Sequence, residues 1–121
     1  IKFIGEKNPN EISNLMNSSK LLLMASSYEG LPRVLIESGL CGLPSIATNI
    51  QGIRNPFGED GGTLLYELNN SDEFINNIKN FVNNKELQKT MSLKSFELSK
   101  KLAGEGKFLS NWNELEKMIY E

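Results

Sequence analysis

Short apolar runs alternate with longer amphipathic segments along the chain, and this pattern predicts an α/β fold. The short runs lie at residues 1–4, 21–25, 45–48 and 63–66 (IKFI, LLLMA, SIAT and TLLY). The run at 21–25 is continuously apolar between polar flanks, which is typical of a parallel strand covered on both faces. The run at 1–4 alternates once and then meets a glycine, which predicts a short strand.

Helical spacing of apolar residues separates these runs. It predicts helices over residues 11–16, 32–41, 72–82, 87–102 and 108–120. We expect Asn10 to be the first N-cap, Pro32 to occupy the first position of its helix and Gly42 to follow that helix's end. The glycine-rich segment 49–62 is predicted to be a loop. Strands and helices in this order imply right-handed crossovers and a Rossmann-like parallel sheet flanked by helices.

Composition narrows the classes of function. A length of 121 residues argues for one domain, and a net charge of −2 gives no general attraction for nucleic acid. The chain has no histidine, which removes histidine-based triads and metal sites, and we expect no metal. The single cysteine, Cys41, cannot form an intramolecular disulfide, which fits a reducing, cytoplasmic compartment. No segment approaches the roughly 20 apolar residues that span a bilayer.

The stretch EGLPRVLIE, residues 29–37, is the main candidate for chemistry. It follows the strand at 21–25, so it lies at the carboxyl edge of the predicted sheet, where open parallel sheets bind ligands. It also opens a helix, whose first amides lack intrahelical partners and carry partial positive charge. Such amides bind anions such as a diphosphate. Here they belong to Gly30, Leu31, Arg33 and Val34.

The two glutamates of this stretch allow two interpretations. Glu37 falls beside Arg33 on the helix, so an ordinary ion pair worth roughly 0.2–0.5 kcal/mol accounts for it, with Glu29 as a solvated loop acid. Alternatively, both carboxylates hold one ligand. Apolar residues surround Glu37, and a carboxylate on a buried helix needs hydrogen-bond donors, which the two hydroxyls of a ribose would provide. Spacing alone leaves both interpretations open.

The segment EGLPRVLIESGLCGLPSIAT, residues 29–48, resembles the donor-binding segment of the group 1 family of retaining glycosyltransferases, which have the GT-B fold. Weaker resemblances lie at residues 1–5 (IKFIG), 49–53 (NIQGI) and 61–65 (GGTLL). Together they cover nearly the whole chain. The resemblance implies that residues 1–121 form a single partial domain, the second half of a GT-B C-terminal domain. We therefore expect the N-terminal acceptor domain and the first two βα units to be absent from this chain.

The resemblance implies an enzyme that moves a sugar from a UDP- or GDP-linked donor to an acceptor hydroxyl with retention, in glycan biosynthesis. Glu29 would be the catalytic residue and would contact hydroxyls of the donor hexose. Gly30 and Leu31 would offer amides to the hexose and the diphosphate, and Glu37 would hold the ribose hydroxyls. The implied donor-binding set also includes Pro32, Arg33 and Val34. No cofactor besides the nucleotide-sugar substrate is implied.

The chain departs from the family pattern at one point. Arg54 and Asn55 stand where the family usually carries Pro-Glu, so the resemblance carries no donor contact there. The family's diphosphate-binding Arg and Lys belong to units that would precede Ile1, so we expect this chain alone to be inactive. A nucleotide-sugar-binding or structural module without catalysis, and a sugar-nucleotide epimerase, remain alternatives.

The expected partners follow from the same resemblance. They are a nucleotide sugar and a glycan or lipid-linked acceptor, with no nucleic acid. Peripheral membrane contact of the full-length protein is a further option. The run at 21–25 contains neither proline nor charge, so if it forms an edge strand we expect either self-association or pairing with residues 1–4.

Overall fold

The structure, a computed structural model, describes residues 1–104. Its centre is a parallel sheet in the order β1-β2-β3, with β1 at Leu22–Met24, β2 at Ser45–Thr48 and β3 at Thr63–Tyr66. In the register, Leu23 lies opposite Ile46, and Ile46 lies opposite Leu64. The predicted Rossmann-like parallel sheet is confirmed. The predicted boundaries of the strands at 45–48 and 63–66, which are β2 and β3, are confirmed as well.

Helices flank the sheet on both faces. Within residues 1–104 they are α1 (Pro9–Ser18), α2 (Arg33–Leu40), α3 (Gln51–Phe57), α4 (Ser71–Asn83) and α5 (Lys85–Gly104), with a 3₁₀ turn at Glu59–Gly61. The predicted helix at 108–120 lies outside the described residues. In the part of the chain that the structure describes, no helix has the length and apolar character needed to cross a membrane.

Two apolar clusters form the core because successive residues of β2 point to opposite faces of the sheet. Ala47 contributes to a cluster with buried residues of α2 and α3, and Ile46 to a cluster with Phe81 of α4. Helix α5 reaches both, with Met91 in the second cluster and Leu98 against the first. All four residues of β2 are buried, as expected for a central strand.

The predicted strand at residues 1–4 is wrong. This segment forms no strand, and Ile1 and Phe3 are almost fully exposed. A strand needs a hydrogen-bonded neighbour, and within the described residues β1 pairs with β2 alone. The expectation that the run at 21–25 is covered on both faces is also wrong, because Leu23 is 48% exposed. Pairing of residues 1–4 with this edge does not occur in the described chain, and self-association stays a prediction.

Helix α1 begins earlier than predicted because Asn8, not Asn10, is its N-cap. The Asn8 side chain accepts a hydrogen bond from the Glu11 amide at 2.9 Å. In return the Glu11 carboxylate accepts from the Asn8 amide at 2.9 Å. This reciprocal capping box satisfies two amides that the helix cannot, and it fixes the start of the helix.

The predicted loop at 49–62 contains α3, which is a second correction. Ile53 and Phe57 lie four residues apart and are both buried, so a helix places both in the core. Gly52 is therefore not a turn residue. It lies in the first turn of α3, where an added Cβ would collide with the carbonyl oxygens of Glu29 and Gly30. The glycine permits α3 to pack directly on the loop after β1.

Helix α2 is bounded much as the sequence predicts. Pro32 is its N-cap, so the helix begins at Arg33, one residue later than predicted. At the other end Gly42 has a φ of 67°, and its amide donates to the Gly39 carbonyl at 2.8 Å. The Leu43 amide donates to the Ser38 carbonyl at 2.9 Å. This pair of bonds is a Schellman motif, which closes the helix and turns the chain into β2.

The absence of a side chain at Gly39 lets α2 pack closely on α5. A Cβ at Gly39 would lie 2.6 Å from the Ser95 carbonyl oxygen and would also meet the Ser99 side chain. We expect Gly39→Ala to lower the free energy of unfolding by about 1–3 kcal/mol, because the backbone of α5 cannot yield without moving. Gly30→Ala is the matched control, because a Cβ there meets nothing within 4 Å. Denaturant unfolding measures both, and equal stabilities would contradict this account of the interface.

The outer edge of β1, which pairs with no strand within residues 1–104, is expected to mediate self-association of this chain. Leu23→Lys places a charge on the strand, and charged side chains discourage edge pairing. We expect the variant to shift the sedimentation-velocity distribution toward monomer. Leu68→Lys serves as the control because Leu68 has a similar exposure, 46%, and lies outside the sheet. A wild-type chain that remains monomeric at high concentration would disprove the expectation.

Candidate functional site

The carboxyl ends of the three strands share one edge of the sheet because the strands are parallel. The stretch 29–37 begins in the loop after β1 and continues into α2, so the structure places it at this edge, as the sequence predicts. Open parallel sheets bind their ligands at the carboxyl edge. The edge is therefore the first place to look for a functional site.

Side chains from the neighbouring strands hold the start of this loop. The buried hydroxyl of Thr48, the last residue of β2, donates to the Ser26 carbonyl. The hydroxyl of Tyr66, the last residue of β3, donates to the Met24 carbonyl at 3.2 Å. Burial raises the pKa of Tyr66, so its hydroxyl stays protonated and can donate. Two buried strands thus fix the path of the chain as it leaves β1.

The Glu29 carboxylate is oriented by its own loop. The Ser26 hydroxyl donates to Glu29 Oε1 at 2.8 Å, and the glutamate is half-buried. Within residues 1–104, Oε2 of Glu29 accepts no hydrogen bond. The adjoining Tyr28 is 85% exposed. One carboxylate oxygen is therefore fixed by protein, while the other can accept a donor from a ligand.

Open space lies beside Gly30, at the start of α2. Gly30 is exposed, and an added Cβ would meet no atom within 4 Å, in contrast to Gly52. The helix itself has no side-chain cap, and its first bond joins the Leu35 amide to the Pro32 carbonyl at 3.1 Å. The first amides of a helix have no partner within the helix itself. This arrangement suits the approach of an anion to the backbone.

Glu37 lies in the second turn of α2, about 6 Å along the axis from Arg33 at a rise of about 1.5 Å per residue. It is half-buried. Burial and, to a smaller degree, the negative charge of Glu37 raise the pKa of the Cys41 thiol. The carboxylate therefore lies on the Cys41 side of the helix, as the i,i+4 spacing predicts. The raised pKa favours the less reactive thiol form of Cys41.

The electrostatic link between Glu37 and Cys41 can be tested by alkylation. Because the thiolate is the reacting form, Cys41 should react with iodoacetamide at pH 8 more slowly than free cysteine. Glu37→Gln removes the negative charge, lowers the pKa of Cys41 and should speed the reaction. The exposed Glu97 provides the control variant Glu97→Gln. An unchanged rate in Glu37→Gln would place this carboxylate away from the thiol.

A second polar group at the same edge was missed by the sequence analysis. The Arg54 Nε donates to Asn49 Oδ1 at 2.7 Å, and Asn49 Nδ2 donates to Glu67 Oε1 at 2.6 Å. These residues tie α3 to the segments that follow β2 and β3. Arg54 was noted only as a departure from the family pattern, and its helical position gives it this structural contact.

The site contains no metal centre within the described residues. Across residues 1–104 no three cysteine, aspartate or glutamate side chains cluster closely enough to hold a metal ion, and the chain has no histidine. The Asp60-Gly61-Gly62 run forms part of a 3₁₀ turn, and a Cβ at Gly62 would strike the Met91 carbonyl of α5. That run therefore serves packing.

All seven predicted site residues lie in the loop after β1 or in helix α2 and its N-cap. Glu29, Gly30 and Leu31 form the loop, and Pro32, Arg33 and Val34 open the helix that carries Glu37. Besides the group of Asn49, Arg54 and Glu67, sequence reasoning missed Ser26 and Thr48, which hold the loop. Thr48 ends a strand that was predicted with the correct boundaries, so its position at the edge of the sheet could be predicted. Its hydrogen bond to the Ser26 carbonyl could not.

An open parallel α/β sheet with a loop and a helix start at its carboxyl edge is an architecture that binds ligands at that edge. Residues 1–97 match the family model described as glycosyl transferases group 1, and the chain belongs to that family.

Curated relatives agree with this assignment. An uncharacterized glycosyltransferase of Methanocaldococcus jannaschii is 32% identical over 105 residues, which are 87% of this chain and 30% of that protein. The UDP-Gal:alpha-D-GlcNAc-diphosphoundecaprenol alpha-1,3-galactosyltransferase of Escherichia coli is 39% identical over 71 residues, 55% of this chain and 17% of that protein. The chain thus spans less than a third of either relative.

Solved structures share the fold. Sucrose-phosphate synthase from Thermosynechococcus elongatus aligns with a TM-score of 0.81 at 18% identity, over 98% of this chain and 30% of that one. The Anabaena protein HepE, in complex with UDP-glucose, aligns with a TM-score of 0.75 at 24% identity, over 83% of this chain and 27% of that one. At these identities the likeness establishes the fold of a GT-B glycosyltransferase domain and nothing finer.

Proposed function

We propose that this chain is the donor-binding part of a glycosyltransferase that moves a sugar from a nucleotide sugar to an acceptor hydroxyl with retention of anomeric configuration. The observation that carries the proposal is the position of Glu29. It lies in a loop pinned at the carboxyl edge of the sheet, directly before a helix start, in a chain of the group 1 family. Family membership favours this reading over an epimerase or a purely structural module.

The start of α2 is the proposed seat of the donor diphosphate. The amides of Gly30 and Leu31 and the partial positive charge of the helix N-terminus attract an anion there. Arg33, the first residue of the helix, would add a cation, and Pro32 and Val34 would complete the wall. The open space beside Gly30 admits the ligand to the backbone.

The two glutamates are proposed to contact sugars and not phosphates. A carboxylate repels a phosphate, whereas it accepts hydrogen bonds from hydroxyl groups strongly. A nucleotide sugar has its diphosphate between a hexose and a ribose. In this chain the start of α2 lies between Glu29 and Glu37. If the helix start binds the diphosphate, Glu29 would contact the hexose and Glu37 the ribose, in the order in which these groups follow one another in the ligand. Glu29 would act at the reacting sugar, which is why we assign it the catalytic role.

The names of the relatives support a choice among the candidate donors and acceptors. The E. coli relative is named for a UDP-Gal donor and a diphosphoundecaprenol-linked acceptor, and HepE was solved with UDP-glucose. We therefore favour a UDP-hexose as donor over a GDP-linked one. A glycan or lipid-linked acceptor fits the same comparison. A cytoplasmic location, with peripheral membrane contact where the acceptor is lipid-linked, follows as part of the proposal.

The test uses the full-length protein that contains this chain. UDP-glucose, UDP-galactose and GDP-mannose are assayed by calorimetry for binding and by turnover with glycan and lipid-linked acceptors. Glu37→Gln should raise the Kd of the nucleotide sugar about tenfold or more, since a hydrogen bond to a charged group is lost. Glu29→Gln should mainly lower kcat, also by about tenfold or more. NMR of the product's anomeric proton reports retention.

The control and the contrary outcomes are distinct. Glu97→Gln, on the exposed side of α5, should leave Kd and kcat unchanged. Wild-type Kd and kcat in a Glu29→Ala,Glu37→Ala double variant would contradict the roles assigned to the two glutamates. Failure of the wild-type protein to bind any nucleotide sugar would sink the proposed function, and an inverted product would refute retention alone.

A further inference from the structure

We propose that Ser26 is a positioning residue for Glu29, and that it fixes the orientation in which this carboxylate faces the donor hexose. The inference rests on the proposed function and adds a residue to it. Ser26 precedes Glu29 by three residues, lies in the same loop and is half-buried. It donates its hydroxyl hydrogen to Glu29 Oε1 at 2.8 Å.

Ser26 can act in this way because its own backbone is fixed. Its carbonyl accepts a hydrogen bond from the Thr48 hydroxyl, and Thr48 is 1% exposed at the end of the central strand. A buried hydroxyl without a partner would be costly, so this bond persists in the folded protein. The hydroxyl of Ser26 is therefore carried by a backbone position that is fixed to the core of the sheet.

The far side of the loop is fixed by α3. The α-carbon of Gly52 lies so close to the loop that an added Cβ would collide with the carbonyl oxygens of Glu29 and Gly30. The Glu29 backbone is thus held by packing, and the Glu29 carboxylate is held by Ser26. A side chain fixed at both ends loses little rotamer entropy when a ligand binds, so its hydrogen bonds contribute more fully to binding.

The bond also leaves one oxygen for the ligand. Oε1 accepts from Ser26, whereas Oε2 accepts no hydrogen bond from residues 1–104. Removal of the Ser26 hydroxyl would let the carboxylate rotate about its side-chain bonds, so that its position relative to the hexose is no longer fixed. Small errors in the position of a group that acts on the reacting sugar reduce rate steeply.

The experiment compares Ser26→Ala with Ser27→Ala in the full-length protein. Ser27 is exposed, so its variant is a matched control for the loss of a hydroxyl in this loop. We expect Ser26→Ala to lower kcat with the wild-type donor about tenfold, because a hydrogen bond to a charged group is lost. We expect Ser27→Ala to match wild type and Ser26→Thr, which keeps the hydroxyl, to restore most of the rate.

Binding measurements separate positioning from a general loosening of the loop. By calorimetry, Ser26→Ala should weaken UDP-glucose or UDP-galactose binding several-fold and leave free UDP binding unchanged, because Glu29 is assigned to the hexose. In a Glu29→Ala background, adding Ser26→Ala should cause no further loss of nucleotide-sugar affinity, since the two residues then act through one contact.

Three results would overturn the inference. They are wild-type kcat in Ser26→Ala, an equal loss of free UDP and nucleotide-sugar affinity, and a full additional loss in the Glu29→Ala background. In each case Glu29→Gln could still impair transfer, and the proposed function would stand. If the wild-type protein binds neither nucleotide sugars nor UDP, the proposed function fails and the inference fails with it.

Discussion

The hydrogen bond from the Thr48 hydroxyl to the Ser26 carbonyl joins the core of the sheet to the loop that carries Glu29. Thr48 ends β2, the central strand, which is buried along its whole length and paired on both sides. Its position is therefore among the most constrained in the chain. Because the hydroxyl is buried, it needs an acceptor, and the loop after β1 supplies one. The geometry of the candidate site follows from this contact.

Helix α2 is fixed from the opposite end. The Schellman motif at Gly42 ends the helix, and the close approach of Gly39 to α5 sets its distance from the second layer of helices. The Ser92 hydroxyl donates to the Gly42 carbonyl at 2.6 Å, which ties the same corner to α5. A short helix held at its C-terminal end presents its N-terminal amides in a defined direction. Sites placed on rigid elements in this way need little reorganisation when they bind.

Sequence patterns correctly predicted the elements whose formation depends on residues close together in the sequence. The strands at 45–48 and 63–66 and the helices from 72 and from 87 follow from apolar spacing, and the site stretch 29–37 follows from its place after a strand. The misses depended on partners distant in sequence. Residues 1–4 alternate like a strand but pair with no strand among residues 1–104, and the segment 49–62 contains glycines whose role is packing.

The same distinction applies within the site. Glu29 and Gly30 were identified because their types suggest chemistry and their position suggests an edge. Ser26 was not identified, since its significance depends on Thr48, 22 residues away. Side-chain to backbone bonds of this range leave no periodic signal in a single sequence. Supporting residues are therefore harder to predict than the groups they support.

The positions of Glu29 and Glu37 on either side of the helix start also determine which ligands the proposed site would exclude. The partial charge of the helix N-terminus favours any phosphate, so it cannot by itself separate one nucleotide from another. Glu29 and Glu37 add a requirement, because each carboxylate disfavours a bare phosphate oxygen and is satisfied by hydroxyl donors. A third phosphate in the place of the hexose would face Glu29 and be repelled, whereas a hexose would donate to it. Specificity of this kind comes from a repulsive contact as much as from an attractive one. A fixed carboxylate is what such discrimination requires, because a mobile one could turn away from the wrong ligand.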